Sequence, residues 1–183
     1  MQEHAKQLVA IGEIGLDYHW ERDEARRAKQ RAAFLQLIEA AEELQKPIII
    51  HSWEAEQACF DLVKNRDLPA IIFHCYTGSL ELAQQIAAAG FFVSISTNVV
   101  FSKALRKIAR TIPLESMTLE TDSPFLDPDR SRRRNTPENI LLSAAKIAEE
   151  RKCADTEVLD AAEHNAVKAL GVEFKKQGKQ RNT

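Results

Sequence analysis

Short apolar runs alternate along this chain with longer stretches in which apolar side chains recur every three or four positions. Residues 8–14 read as a strand, and period-two alternation places Ile11, Glu13 and Gly15 on one face. Phe34, Leu37, Ile38 and Ala41 then mark an amphipathic helix over residues 24–45, which Pro47 ends. Residues 47–50 form a short β-branched run, the pattern of a parallel-sheet strand buried on both faces. Ala55, Ala58, Cys59, Leu62 and Val63 make a second helical stripe, followed by a strand at residues 70–73. A helix over 80–89 stops at Gly90, and residues 91–95 are the fourth strand. Ser102 caps a helix that turns Ala104, Leu105, Ile108 and Ala109 inward. Residues 116–120 are the fifth strand, Thr136-Pro137 opens a helix to residue 152, and a last helix covers 156–170.

Strand and helix alternating through five units predict an α/β fold of parallel strands joined by right-handed crossovers, in a single domain over residues 1–174. An open doubly wound sheet and a barrel both fit, and both place function at the carboxyl ends of the strands. Those ends carry Glu13, His51, His74 and Asp122. Four strands presenting such residues suit a barrel mouth better than a single crevice. A complete (β/α)8 TIM barrel needs about 250 residues, so the expectation is an incomplete barrel of about five of its eight units.

Composition narrows the partners rather than the fold. The 183 residues are 44% hydrophobic and 28% charged with net charge −2, which excludes an overall field for a polyanion or a membrane surface. No apolar run approaches the ~20 residues of a membrane span, so no membrane partner is expected. Cys59, Cys75 and Cys153 lack paired or zinc-type spacing and read as reduced thiols of a cytoplasmic protein. Residues 175–183 are a polar, basic tail with no packing signal.

A lone strand-end histidine is more often a hydrogen-bonded core residue than a ligand. Two histidines and two carboxylates at equivalent positions are a different matter, because imidazole nitrogen and carboxylate oxygen together suit one or two divalent cations. Such a centre lowers the pKa of bound water and neutralises charge on an oxygen-rich substrate, so hydrolysis is the expected chemistry. Glu120 lies two residues before Asp122 and fits either a supporting role behind the ligands or plain packing. His4, His19 and His164 read as surface or structural. The basic run that contains Arg130, Arg132 and Arg134 follows Asp122 and is placed to meet a phosphodiester backbone. Trp53 and Tyr76, each two residues past a candidate ligand, are candidates for stacking on a base.

Gly12-Glu-Ile-Gly-Leu-Asp-Tyr18, Ile50-His-Ser52, His74-Cys-Tyr-Thr-Gly78 and Leu119-Glu-Thr-Asp-Ser-Pro-Phe-Leu126 closely resemble, in order and spacing, the signatures of the TatD family of metal-dependent deoxyribonucleases. Arg134-Asn135-Thr136-Pro137 and Asn165-Ala166 fit as well, and the resemblance spans nearly the whole chain. It implies a TIM-barrel hydrolase that cuts DNA phosphodiesters with two divalent metals (Mg, Mn or Zn). Glu13 would bridge the metals, with His51 and His74 as ligands of one. Asp122 would be a ligand of the other and the partner of the attacking water. Arg130, Arg132, Arg134, Asn135 and Tyr76 would contact substrate.

The chain departs from the family pattern in two places. The family begins with a strand ending in His-x-His, and no such pair occurs here. The expectation is therefore that about three strand-helix units are absent, as in a fragment or a gene model truncated at its 5′ end. The metal that relies on the pair would then keep only Glu13 and Asp122, leaving one ion bound, and the open barrel would offer strand edges for self-association. The second departure is Trp53, where the family usually has arginine, which removes one phosphate contact. Two alternatives to the nuclease remain. One is an inactive family member serving as a binding or assembly module. The other is a lactonase- or phosphotriesterase-like hydrolase, although those relatives usually bridge metals with a carboxylated lysine and no strand here ends in lysine.

Overall fold

The computed structural model describes residues 5–129 and 134–172, so His4, Arg130, Arg132 and the tail 175–183 lie outside the described residues. The elements run β1 (Ile11–Asp17), α1 (Glu24–Glu43), β2 (Ile48–Trp53), α2 (Glu56–Val63), β3 (Ile71–Phe73), α3 (Leu80–Ala88) and β4 (Phe92–Ile95). They continue with α4 (Lys103–Thr111), β5 (Met117–Leu119), α5 (Ile140–Arg151) and α6 (Asp155–Leu170). The helix expected from Thr136 onward begins as a 3-10 turn, Pro137–Asn139, before α5. Among the described residues no helix is long and apolar enough to cross a membrane.

All strand pairs are parallel, and the sheet order is β1-β2-β3-β4-β5. This order decides between the two architectures that the alternation left open. A doubly wound sheet reverses its order at a switch point, whereas a monotonic order with right-handed crossovers leaves each intervening helix on the same face. The order is that of a barrel wall, with β1 and β5 at the edges of the described sheet.

The two faces bury different things. Ile48, Ile50, Ile71, Phe73, Val93 and Ile95 point into a core shared with Phe34 and Ile38 of α1, Cys59 and Val63 of α2, Ile86 of α3 and Ile108 of α4. Each such isoleucine contributes roughly 1.5–3 kcal/mol by leaving water. On the opposite face Ile49, Ile72 and Phe92 meet Ala169 and Leu170 at the end of α6. Asn165 holds that helix in place: its buried amide donates to the carbonyls of Leu114 (2.8 Å) and Met117 (2.7 Å). Side-chain caps start three of the outer helices, with Asp23, Ser79 and Ser102 accepting from Arg26 N, Leu82 N and Leu105 N. The α4 stripe is Leu105, Ile108 and Ala109 as expected, but Ala104 is turned to solvent.

β1 differs most from its expected form. It starts three residues later and continues to Asp17, because Gly15, Leu16 and Asp17 pair with His51, Ser52 and Trp53. Ile11 faces Ile48 and Ile14 faces Ile50, so three steps along β1 match two along β2. This bulge breaks the alternation that put Ile11 and Glu13 on one face: Ile11, Ile14 and Leu16 are all core residues. Two glycines let the strands close. A Cβ on Gly12 would lie 2.6 Å from Ile49 Cβ, and one on Gly15, whose φ is +151°, would collide with the His51 carbonyl oxygen.

Gly15→Ala is expected to destabilise the domain by roughly 2–4 kcal/mol, read as a lower midpoint in urea unfolding followed by circular dichroism. Burial pushes the Cys59 thiol up to about 12. In native protein at pH 8 it should therefore resist iodoacetamide, reacting on the order of a thousand-fold more slowly than in the urea-unfolded chain.

Candidate metal centre

Period two along the inner face of the sheet builds the site. Ile49 and Ile72 form the apolar floor, and His51 and His74 stand two residues further along β2 and just past β3. From β1, the bulge delivers Glu13 and the strand end delivers Asp17. Glu120 and Asp122 follow β5, with Glu120 N still donating to Ile95 O at 3.2 Å. The chain leaves the sheet through positive-φ residues at Glu54 (54°), Cys75 (42°) and Asp122 (56°). Such conformations are disfavoured for side chains other than glycine and asparagine-like residues, and they gather where a fold turns functional groups inward.

Glu13, His51 and His74 each offer a ligand atom, and these atoms lie within 4.8 Å of one another. Glu13 Oε2 is 3.6 Å from His51 Nδ1 and 3.4 Å from His74 Nε2. Each histidine has a carboxylate behind it. His74 Nδ1 is 3.0 Å from Glu120 Oε2, and His51 Nε2 is 3.2 Å from Asp17 Oδ2. A carboxylate can only accept, so these ring nitrogens donate, and in the neutral form of each ring the opposite nitrogen would turn its lone pair to the Glu13 side, free for a cation. Glu120 is itself fixed by the Cys75 backbone N–H, which donates to its other oxygen. Asp17 is held by Trp20 N at 2.9 Å. Asp122 Oδ1 stands 3.8 Å from His74 Nε2.

The charge balance matches a cation. Among the described residues the ionic partners of Glu13, Asp17, Glu120 and Asp122 are His51 and His74, with no lysine or arginine. Burial raises the Asp122 carboxyl above its ordinary value. The nearby Glu120 and Glu13 charges add to that, against the opposing pull of His74 and His51. Burial works against a charged His74, but the Glu120 hydrogen bond and the charges of Glu120, Glu13 and Asp122 outweigh it and hold the ring above its ordinary value. Four clustered carboxylates and two nitrogen lone pairs suit a divalent ion of intermediate hardness. The donor set fits one such ion at Glu13, His51 and His74.

These residues line a cleft of about 370 Å³ together with Asp122, Trp53 and Phe125. The expected substrate contacts fare differently. Tyr76 is fully buried and its hydroxyl donates to Ser79 O (2.8 Å), so it does not stack on a base at the rim. Its ring was drawn into the core with Phe73 rather than left in the loop. Asn135 is also buried. Its amide points at the carbonyls of Thr121 (2.8 Å), Phe125 (2.6 Å) and Leu126 (3.1 Å), so it fixes the loop that carries Asp122 instead of meeting substrate. Arg134 is exposed beside it. Asp17 was not singled out as a site residue. The signal was its place four residues after Glu13, on the same face of a strand.

A family model described as "TatD related DNase" matches residues 2–171. An uncharacterised metal-dependent hydrolase of Methanocaldococcus jannaschii is 40% identical over 162 residues, which are 88% of this chain and 62% of that protein. Human deoxyribonuclease TATDN3 is 31% identical over 170 residues, 92% of this chain and 62% of its own length. The crystal structure of a TatD homologue from Escherichia coli superposes with a TM-score of 0.85 at 26% identity, covering 94% of this chain and 69% of that one. This chain thus spans 62% of the length of those two curated relatives.

Glu120→Gln is expected to weaken divalent-metal binding by about 10–100-fold, because the amide holds the ring less firmly and lowers its basicity. Isothermal titration with Mn²⁺ checks this. Unchanged affinity would reduce Glu120 to a packing residue.

Proposed function

Since the chain belongs to the family of TatD-related DNases, we propose that it hydrolyses DNA phosphodiester bonds in a reaction that depends on divalent metal. The observation that carries this reading is the Glu13–His51–His74 cluster, with a carboxylate behind each imidazole.

Metal bound at Glu13, His51 and His74 would lower the pKa of water and neutralise charge on the phosphate oxygens. Glu13 Oε2, facing both rings, is placed to serve more than one ion, and Asp122 opens a second position beside His74. Asp122 Oδ1 is the group on the cleft wall to orient the attacking water and take up its proton. Its raised pKa favours that uptake. Glu120 and Asp17 hold the rings so that no reorientation is needed during reaction. Phe125 and Leu126, fixed by Asn135, close one wall of the cleft. Arg134, exposed next to Asn135, is positioned for the substrate backbone, with Arg130 and Arg132 of the same basic run as further contacts.

Two further points belong to the same reading. The three cysteines are unpaired, which suits a reducing compartment such as the cytoplasm. β1 and β5 are edges of the sheet and suit strand pairing with a second copy or another segment.

With Mn²⁺ or Mg²⁺, the purified chain is expected to degrade a fluorescent oligodeoxynucleotide. EDTA should stop the reaction, and Glu13→Ala should lower kcat at least about a thousand-fold while leaving the fold intact. A folded, metal-loaded protein without turnover would sink the nuclease reading and favour a binding module. Turnover that survives both EDTA and Glu13→Ala would place the chemistry elsewhere.

A further inference from the structure

Three large aromatic side chains stand exposed around the metal cleft. Trp20 is 74% exposed, Phe125 69% and Trp53 40%. Trp53 and Phe125 line the same cleft as Glu13, His51 and His74. Such surface is costly to leave in water, and when grouped at a site it usually marks contact with a ligand.

Their arrangement is ordered. His19 lies flat on Trp53, with centroids 4.0 Å apart and planes within 3°. Trp20 stands edge-on to both, 83° from Trp53 and 86° from His19. The result is a corner with a two-ring floor and an upright wall. Its parts are braced: His19 Nδ1 donates to Glu54 Oε1 (2.8 Å), Arg22 to Glu54 Oε2 (3.1 Å), and Tyr18 N to Trp53 O (2.9 Å). Trp53 itself is the last residue of β2 and pairs with Asp17, so it cannot drift away from the centre.

The chemistry selects among occupants. Both Glu54 oxygens are engaged by His19 and Arg22, so what the corner presents is chiefly ring faces. A neutral, flat π-system fits the flat floor, and its stacking depends on ring area rather than on hydrogen-bond readout. The floor adjoins a centre that takes a phosphodiester. A ring tethered to that phosphate is a nucleobase.

We propose that Trp53, backed by His19 and cornered by Trp20, with Phe125 on the same cleft, is a stacking subsite for the nucleobase next to the phosphate at the metal centre. It selects purines over pyrimidines by their larger face. This rests on the reading of the cleft as a nucleic-acid site.

Trp20 and Trp53 are the two tryptophans of the chain, so intrinsic fluorescence reports on the corner directly. Trp20→Phe leaves Trp53 as the sole emitter. Metal-loaded Trp20→Phe protein is titrated with phosphorothioate tetradeoxyadenylate, which resists hydrolysis, and with a tetramer of the same backbone lacking bases. The expected result is saturable quenching by the adenine tetramer, none by the base-free one, and several-fold weaker binding of the thymine tetramer. In turnover, Trp53→Ala should raise KM for adenine-ended substrate about ten-fold with kcat nearly unchanged. It should leave KM for an abasic-ended substrate unaltered, and Trp53→Phe should restore most of the loss. Equal quenching by based and base-free tetramers, or a KM change independent of the base, overturns the subsite. Turnover with base-independent binding keeps the nuclease reading and removes the subsite. Base-dependent quenching without turnover does the reverse.

Discussion

The close approach of β1 to β2 at Gly15 sets the geometry of the whole centre. A side chain there would drive into the His51 carbonyl, so glycine lets the two backbones pair along Gly15, Leu16 and Asp17. That pairing puts Asp17 within reach of His51 Nε2. The bulge before it, made possible by the bare Cα of Gly12 against Ile49, lifts Glu13 out of the core alternation and in front of both histidines. One register therefore supplies the shared carboxylate, one histidine and the group that orients that histidine. A single-residue slip would send Glu13 toward the helix layer and Ile14 into the cleft.

On that frame the electrostatics are deliberately unbalanced. Glu13, Asp17, Glu120 and Asp122 crowd two imidazoles: burial and the charges of Glu120 and Glu13 raise the Asp122 carboxyl, while the same crowding of negative charge holds His74 above its ordinary value against its burial. In the absence of a cation such a cluster opposes folding through like-charge repulsion. A divalent ion turns the same charges into ligands and braces. The strong carboxylate hydrogen bonds behind His51 and His74 also fix which ring nitrogen faces inward, a choice that the ligand residues alone leave open.

The loop after β5 depends on a different device. It carries Asp122 and the cleft wall at Phe125 and Leu126, yet among the described residues it has no strand partner beyond Glu120. Asn135 replaces a ladder with a single buried amide directed at three of its carbonyls, while its own oxygen accepts from Thr136 N and Asn139 Nδ2. Thr97 adds a hydroxyl to Leu126 O at 2.6 Å. The network holds Phe125 by its backbone carbonyl and leaves its ring exposed at the cleft mouth.

Much of this was legible in the order of residues. The period-two and period-3.6 patterns located five strands and six helices, with Phe34, Ile38, Leu105 and Ile108 on their buried faces. The motifs around Glu13, His51, His74 and Asp122 named the family and pointed to metal-dependent hydrolysis. Residue type and local spacing suffice for such features, because helix faces, strand ends and turn residues are properties of a few consecutive positions. What spacing could not carry was decided by packing between distant segments. The strand order that separates a barrel wall from a doubly wound sheet, and the bulge that reassigns the faces of β1, depend on how one strand lies on its neighbour. Tyr76 and Asn135, polar residues in loops that read as contacts for substrate, were taken inside because their hydroxyl and amide found carbonyls there. Glu120 and Asp17 became the supports of the histidines only when β4 set the end of β5 across from the end of β3, and β1 was paired with β2. The sequence determined which groups this protein has for its chemistry, and the tertiary structure decided which of them face one another.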